Sequence, residues 1–410
     1  MLLLGSFHLY CILGAIKLRL NLPMSSILDT YARKPISFTK GKGSYLYTEN
    51  GDKYLDWVAG IATNILGHCH PHVVKAIQDQ SNKLIHVSNA FIIQEAESLA
   101  KRLTDNTFAD KVFFGNSGTE VIEGSIKIVR KYFHKIGKPE KNRIISFSGA
   151  FHGRTLAALF LANNKSHTEG FGPKVDGFDQ VAFGDHEALK KAINKNTAAI
   201  ICEPLQGEGG IRVVPDYCLK GLREICDENG ILLIFDSVQT SFRTGTLLGF
   251  ENSGISPDIC CVAKGFGNGF PIGAILLTNE VAKGMTHGSH GSTFGNNLLA
   301  CAAAHAVLDV VLAKGFFEEV KTKGEYFDKE LKKLKDSFPN IIEEVRGINF
   351  IKGLKLKVVI SDFMSKLMKN KLLVVKAAEN CIRLFPSLLS TTDELDIGIK
   401  IIKKTCEEMS

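Results

Sequence analysis

The chain has no cysteine spacing of the kind that builds a metal module. Its ten cysteines form no CxxC pair, and His68-Cys69-His70 offers potential ligands with no partner cluster nearby. Zinc-ribbon and zinc-finger readings are excluded, no metal is expected, and scattered reduced thiols point to the cytoplasm. Internal repeats, low-complexity tracts and long linkers are also missing, so neither a solenoid nor a tethered multidomain array is expected. A formal net charge of +7 over 410 residues is modest, and its lysines and acids are interspersed. That describes a solvated surface, not a nucleic-acid or membrane partner, although the lysine-rich C-terminal third could weakly attract anionic substrates. Acidic residues are absent from the apolar stretch Met1 to Pro23, whose Lys17 and Arg19 follow its hydrophobic part instead of preceding it. That order is wrong for a secretory signal.

What is present is ordinary for a globular protein, at 45% hydrophobic and 23% charged. Short apolar runs alternate with helical patterns, the signature of an α/β fold. Strands are expected at Lys111 to Phe114, Arg143 to Phe147, Ala198 to Cys202, Ile231 to Phe235, Ile259 to Ala263 and Gly273 to Leu277. Phe317 to Leu334 reads as a charged amphipathic helix. Ligands of such sheets bind at the carboxyl ends of the strands, so Glu203, Asp236 and Lys264 should converge on one crevice.

Two of these strand ends carry chemistry. The run Ile259-Cys260-Cys261-Val262-Ala263 meets a glycine-rich turn at Lys264, and the run ending at Phe235 leads into Asp236-Ser237-Val238-Gln239. A buried lysine is costly unless its charge is neutralised or used, so a lysine closing a core strand beside an aspartate suggests a Schiff base to pyridoxal phosphate. In that reading Asp236 keeps the pyridine nitrogen protonated by ion pairing, Val238 lies on the ring face and Gln239 donates to the phenolic oxygen. Alone, the two residues fit equally a snorkelling lysine and a helix-capping aspartate. A further string, Asn116-Ser117-Gly118-Thr119-Glu120, opens a helical pattern and can cradle a phosphate on backbone N–H groups and hydroxyls. It is also an ordinary capping box, Ser117 with Glu120.

With these motifs the sequence resembles the class III (omega) aminotransferases of pyridoxal-phosphate fold type I, and within them the N-acetylornithine/N-succinyldiaminopimelate enzymes. The resemblance runs from about Tyr31 to the C-terminus, through Gly67-His68-Cys69-His70-Pro71, Asn116 to Glu120, Phe151-His152-Gly153-Arg154-Thr155, Glu203-Pro204-Leu205-Gln206-Gly207-Glu208-Gly209-Gly210, Asp236 to Gln239, Ala263-Lys264-Gly265, Gly291-Ser292-Thr293-Phe294-Gly295 and Arg383-Leu384-Phe385-Pro386, all in the family's order. It implies an α/β fold in which a large domain, residues 71–304, has a mostly parallel sheet flanked by helices. A smaller α+β domain would combine residues 24–70 and 305–410. Met24-Ser25-Ser26-Ile27-Leu28 looks like the family's start, so residues 1–23 are expected to be a mis-assigned start or flexible extension, with a cryptic anchor or organelle presequence as the alternative.

The implied chemistry is ping-pong transamination between an N-acylated omega-amino acid and 2-oxoglutarate, in arginine or lysine biosynthesis. Lys264 would hold the cofactor and, once freed, move a proton between the substrate carbon and C4′. Ser117, Gly118 and Thr119 would hold the phosphate, with Phe151 as an aromatic lid. Thr293 would reach the phosphate of a neighbouring subunit, making the active unit a homodimer. Arg154 would bind the carboxylate distal to the reacting carbon, as an arginine fork does better than lysine; a loop arginine on the surface is the bland alternative. Glu208 and Arg383 would form a switch, paired for an omega-amine and parted for glutamate; a static salt bridge is the other reading.

Some positions depart from the family pattern. Ser237 replaces a usual glutamate, and the turn Thr240-Ser241-Phe242-Arg243-Thr244-Gly245 is one residue short. Ile122, Asn296 and Leu298 also differ from customary residues, which bears on loop geometry and rate. The rival readings are another omega-aminotransferase, acting on ornithine, 4-aminobutyrate or a diamine, and a non-catalytic relative. Ile61 stands where the ornithine enzymes carry an aromatic residue, which leans toward an acylated substrate. A glutamate-semialdehyde aminomutase is disfavoured, because it lacks the glutamate matching Glu208.

Overall fold

Seven strands, most of them apolar at nearly every position, build the central sheet, whose two faces are both covered. Numbered in chain order, they are β1 (Lys111–Gly115), β2 (Arg143–Phe147), β3 (Phe178–Val181), β4 (Thr197–Cys202), β5 (Leu232–Asp236), β6 (Ile259–Val262) and β7 (Gly273–Leu277). Their spatial order is β1-β7-β6-β5-β4-β2-β3. All neighbours pair in parallel except β7, which runs antiparallel to both β6 and β1. The sheet is therefore mostly parallel, as expected. Successive side chains alternate between faces. Ile145, Ile200, Leu233, Phe235, Cys260 and Leu276 join one core cluster, and Ile144, Ala199, Ile201, Ile234, Cys261 and Ile275 another. The second face packs under the helix Gly118–Lys135 through Val121, Ile122, Ile126, Val129 and Phe133. The first lies under Asp216–Asn229 and Leu298–Val311, through Leu219, Leu222, Cys301 and Leu308.

The computed structural model describes residues 25–410, so the expectation for residues 1–23 lies outside the described residues. Phe38–Ser410 is one compact unit; the preceding unit ends at Ser37, and its residues 25–37 contain no helix or strand. Within the larger unit, Lys40–Lys42, Tyr45–Tyr47 and Lys53–Asp56 form a small sheet completed by Leu372–Leu373, which runs parallel to Lys53–Asp56. A second four-stranded, antiparallel sheet combines Ile342–Ile348, Ile351–Leu356, Cys381–Leu384 and Val375–Ala377. The expected amphipathic helix spans Phe316–Ser337. Among the described residues, no single helix is long and apolar enough to cross a membrane.

Candidate active site

The carboxyl ends of the parallel strands deliver the polar side chains. Asp236 is the last residue of β5 and is buried. Its Oδ1 accepts the Val238 N–H at 3.0 Å, and its Oδ2 lies 2.8 Å from Nδ1 of the buried His152. The other ring nitrogen of His152 is buried without a hydrogen-bond partner. Glu203, one residue past β4, accepts the Phe151 N–H at 3.0 Å through Oε1, while Oε2 has no partner. Burial, then the negative charge of Asp236, raises the Glu203 carboxyl well above its ordinary range. Ligand atoms of His152, Glu203 and Asp236 lie within 4.8 Å of one another. The His152–Asp236 contact, and the burial that raises the Glu203 carboxyl, weigh against a cation there.

Lys264 follows β6 by two residues and begins a short 3-10 turn, Lys264–Gly267. Its φ of +47° is in the left-handed region, which costs a non-glycine residue on the order of 1–3 kcal/mol and persists where the surroundings enforce it. Gly265 is part of that enforcement: a Cβ there would lie 2.6 Å from Ile65 Cγ2 and 3.3 Å from Phe242. Burial within the crevice lowers the Lys264 pKa to about 8, against the opposing pull of Asp236.

The string after β1 is both cap and cradle. Ser117 Oγ accepts the Glu120 N–H at 3.3 Å, and Glu120 Oε2 reaches back to the Asn116 N–H at 2.7 Å. The helix Gly118–Lys135 leaves the N–H groups of Gly118 and Thr119 without intrahelical partners. Both residues line a cavity of about 240 Å3 with Phe151, Asp236, Val238, Gln239 and Lys264. The Thr119 hydroxyl is engaged elsewhere, 3.2 Å from Thr155 Oγ1 and accepting the Arg154 N–H at 3.3 Å. The cradle therefore offers N–H groups more freely than hydroxyls. Gly118 sits against Val238, whose Cγ1 would be 2.8 Å from an added Cβ. The buried Oε1 of Gln239 has no partner.

The same cavity is lined by Arg154, Glu203 and Glu208, so the strand ends expected to converge do so. Arg383 is buried, its Nη1 2.6 Å from Glu208 Oε1 and its Nη2 donating to Lys376 O at 2.8 Å. Arg154 is exposed at the mouth, 5.4 Å from the centroid of the Phe151 ring and 3.4 Å from His167 Nε2. Thr293 is exposed and does not line the cavity. Its loop is held by Ser292 Oγ, which accepts from Asn116 Nδ2 and from the Gly295 N–H, each at 3.0 Å. Ile61 lies in a run of four left-handed residues, Ala59 to Ala62, steadied by Asp56 Oδ1 accepting the Val58 and Ala59 N–H groups. The turn from Thr240 to Gly245 is anchored by fully buried Arg243, which donates to Phe350 O at 3.1 Å and Pro386 O at 2.8 Å.

Two residues that sequence reasoning did not assign stand out. His152 was visible only as a letter between Phe151 and Gly153, and His167 lies outside every motif.

The family model for class-III aminotransferases matches residues 29–406. The chain is 50% identical over 385 residues to the acetylornithine aminotransferase of Agrobacterium fabrum, covering 94% of this chain and 96% of that one. It is 42% identical to the acetylornithine aminotransferase of Methanocaldococcus jannaschii, over 93% and 96%. Among solved structures, the ornithine aminotransferase of Toxoplasma gondii superposes with a TM-score of 0.91 at 29% identity, covering 96% and 98% of the two chains. The acetylornithine aminotransferase of Elizabethkingia anophelis gives 0.83 at 29%, covering 97% and 98%.

Proposed function

The chain belongs to the class III aminotransferases, pyridoxal-phosphate-dependent enzymes of fold type I, and on that premise we propose that it transfers the omega-amine of N-acetylornithine to 2-oxoglutarate in arginine biosynthesis. N-succinyldiaminopimelate, and with it lysine biosynthesis, is the second candidate donor. The residues present fit the cofactor. Gly118 and Thr119 have N–H groups free for a phosphate, Asp236 presents a carboxylate for the ring nitrogen, Gln239 lines the cavity with a side-chain amide whose N–H groups suit the phenolic oxygen, and Lys264 closes the crevice. When bound, the cofactor supplies an electron sink for the substrate carbon that gives up its amine.

The protein's own part is to hold charges and protons in place. The Val238 N–H and His152 fix both oxygens of Asp236, so its charge stays aimed at one spot. With a pKa near 8, Lys264 can give up and take back a proton at Nζ under neutral conditions, as a general acid–base must. Burial and the nearby Asp236 raise the Glu203 carboxyl, which disfavours a second negative charge beside Asp236. Arg154 at the mouth suits a distal carboxylate.

The observation that carries the substrate reading is the Glu208–Arg383 pair, closed at 2.6 Å at the edge of the Lys264 crevice. A closed pair hides the arginine from an amine whose reacting carbon has no carboxylate, and an opened one receives 2-oxoglutarate. Ile61, aliphatic and 42% exposed, supports an acylated chain. The likeness to acetylornithine aminotransferases supports the acetyl group.

The active unit we propose is a cytoplasmic homodimer. Leu84, Ile85, Phe91, Ile92 and Phe294 are exposed apolar residues. Their two segments are stitched together by Asn89 Nδ2 donating to Ser292 O and Gly295 O, and by Asn297 Nδ2 donating to Ile85 O. Thr293 stands on that surface, available to a neighbouring site. Steady-state rates with N-acetylornithine, N-succinyldiaminopimelate, ornithine and 4-aminobutyrate as donors test the reading: kcat/KM should be highest for an acylated donor, and a preference for free ornithine or 4-aminobutyrate would overturn it.

A further inference from the structure

One β-hairpin holds both members of the Glu208–Arg383 pair, and we infer that its tip residue, Glu379, is a positioning residue for Glu208. The inference rests on reading that pair as a gate. Val375–Ala377 and Cys381–Leu384 are antiparallel, with Val375 opposite Arg383 and Ala377 opposite Cys381. Glu379 and Asn380 join them with φ of +57° and +53°, and the Cys381 N–H donates to Ala378 O at 3.2 Å. In this three-residue connection between Ala377 and Cys381, the two left-handed residues close the turn tightly. One arm of the hairpin carries Arg383. At the tip, the Ala378 N–H donates to Glu208 O at 2.9 Å, so the same hairpin grips the backbone of the opposing residue.

Glu379 extends that grip. Its Oε2 is 2.5 Å from Arg346 Nη1, and its Oε1 is 3.5 Å from Arg212 Nη1. Arg346 Nη1 also donates to Gly210 O at 3.0 Å. Arg212 Nη2 donates to Ser148 O at 2.7 Å and to Gln206 Oε1. One carboxylate thus bridges two arginines that hold the loop on either side of Glu208. The loop needs holding, because Ile211 within it has φ of +56°, a conformation that branched residues rarely adopt. With the Gln206 side chain held and the backbone pinned at Glu208 and Gly210, opening the pair is confined to the Glu208 side chain, and closing returns it to the same place.

Removing the bridge should leave Glu208 less often on Arg383, with opposite consequences for the two substrates. An amine without a carboxylate at its reacting carbon then faces an unpaired buried arginine and binds more weakly. A dicarboxylate no longer has to displace Glu208 and binds more tightly. In the cofactor-loaded enzyme, Glu379→Ala should raise KM for N-acetylornithine and lower KM for 2-oxoglutarate, by about three- to tenfold each. Hydrogen exchange should quicken in residues 206–213 and not in 118–135. Arg212→Gln, which breaks one side of the bridge, should move both readouts the same way by less, and Glu379→Gln should restore part of the effect.

Glu208→Ala, run in parallel, separates the two layers. If it shifts the KM ratio while Glu379→Ala and Arg212→Gln leave both ratio and exchange unchanged, the positioning role is wrong and the gate stands. If Glu208→Ala itself leaves the ratio unchanged, the gate reading fails and takes the positioning role with it. A parallel rise in both KM values, with faster exchange throughout the chain, would mark Glu379 as merely structural and also overturn the inference.

Discussion

Lys264 shows how one side chain can be held at a cost to the fold. The unfolded chain keeps the lysine proton up to about 10.5, while the fold gives it up near 8, so stability should rise with pH between those values. Below 8 the buried charge costs on the order of 3 kcal/mol. In the cofactor-free protein, Lys264→Met should raise the thermal midpoint at pH 7 and flatten that pH dependence; an unchanged or lower midpoint would show that the lysine is not under strain. Glu203 has the opposite sign. The fold keeps a proton that the unfolded chain releases near 4.5, so stability falls as pH rises from there until Glu203 ionises. Glu203→Gln preserves the acceptor for the Phe151 N–H. It should retain kcat/KM within about threefold and remove the stability loss, whereas a hundredfold drop would mean that the ionised form is needed. His152→Ala frees one oxygen of Asp236 and should lower kcat by about ten- to a hundredfold, with the cofactor's absorption band shifted. At this scale, the strand ends foretold that Lys264 and Asp236 would share one crevice, and the resemblance that Glu208 would stand by Arg383; both placements are found. His152 was not legible, because it stands inside the string Phe151 to Thr155 with no task of its own, and only the fold brings it to Asp236.

At the scale of elements, strands buried on both faces announce themselves as continuous apolar runs. Six of the seven in the central sheet were expected within a residue or so of where they lie. The exception is Phe178–Val181, an edge strand whose central Asp179 and Gln180 are partly exposed, so the sequence shows only two apolar residues and a preceding glycine. Glycine contacts are equally hard to foresee, since the neighbour that forbids a side chain comes from another strand. Gly118→Ala pushes a methyl toward Val238 and should weaken pyridoxal-phosphate affinity about tenfold or more, measured by equilibrium dialysis, with little change in the melting temperature of the cofactor-free protein. The turn from Thr240 to Gly245 is tied at this scale as well: Arg243 donates to Pro386 O, two residues past the strand that carries Arg383.

For the whole molecule, the exposed apolar residues Phe91, Ile92 and Phe294 share one face with Thr293. In the proposed dimer, association and phosphate binding should therefore fail together. Phe91→Asp should shift sedimentation toward the monomer and reduce cofactor affinity, and a monomer with undiminished affinity would show that each site is complete by itself. The order of motifs made the family legible from sequence. The acyl group was not, because its pocket is formed by side chains that no motif specifies and that contribute only about 1–3 kcal/mol of discrimination. The most direct test of the central claim is the absorption of the cofactor-loaded enzyme, wild type beside Lys264→Ala, as N-acetylornithine is added without any keto acid. The wild-type visible band should be lost stoichiometrically and return on addition of 2-oxoglutarate, while the variant completes neither change. A wild-type band that persists at saturating N-acetylornithine, or a variant that completes both changes, would contradict that claim.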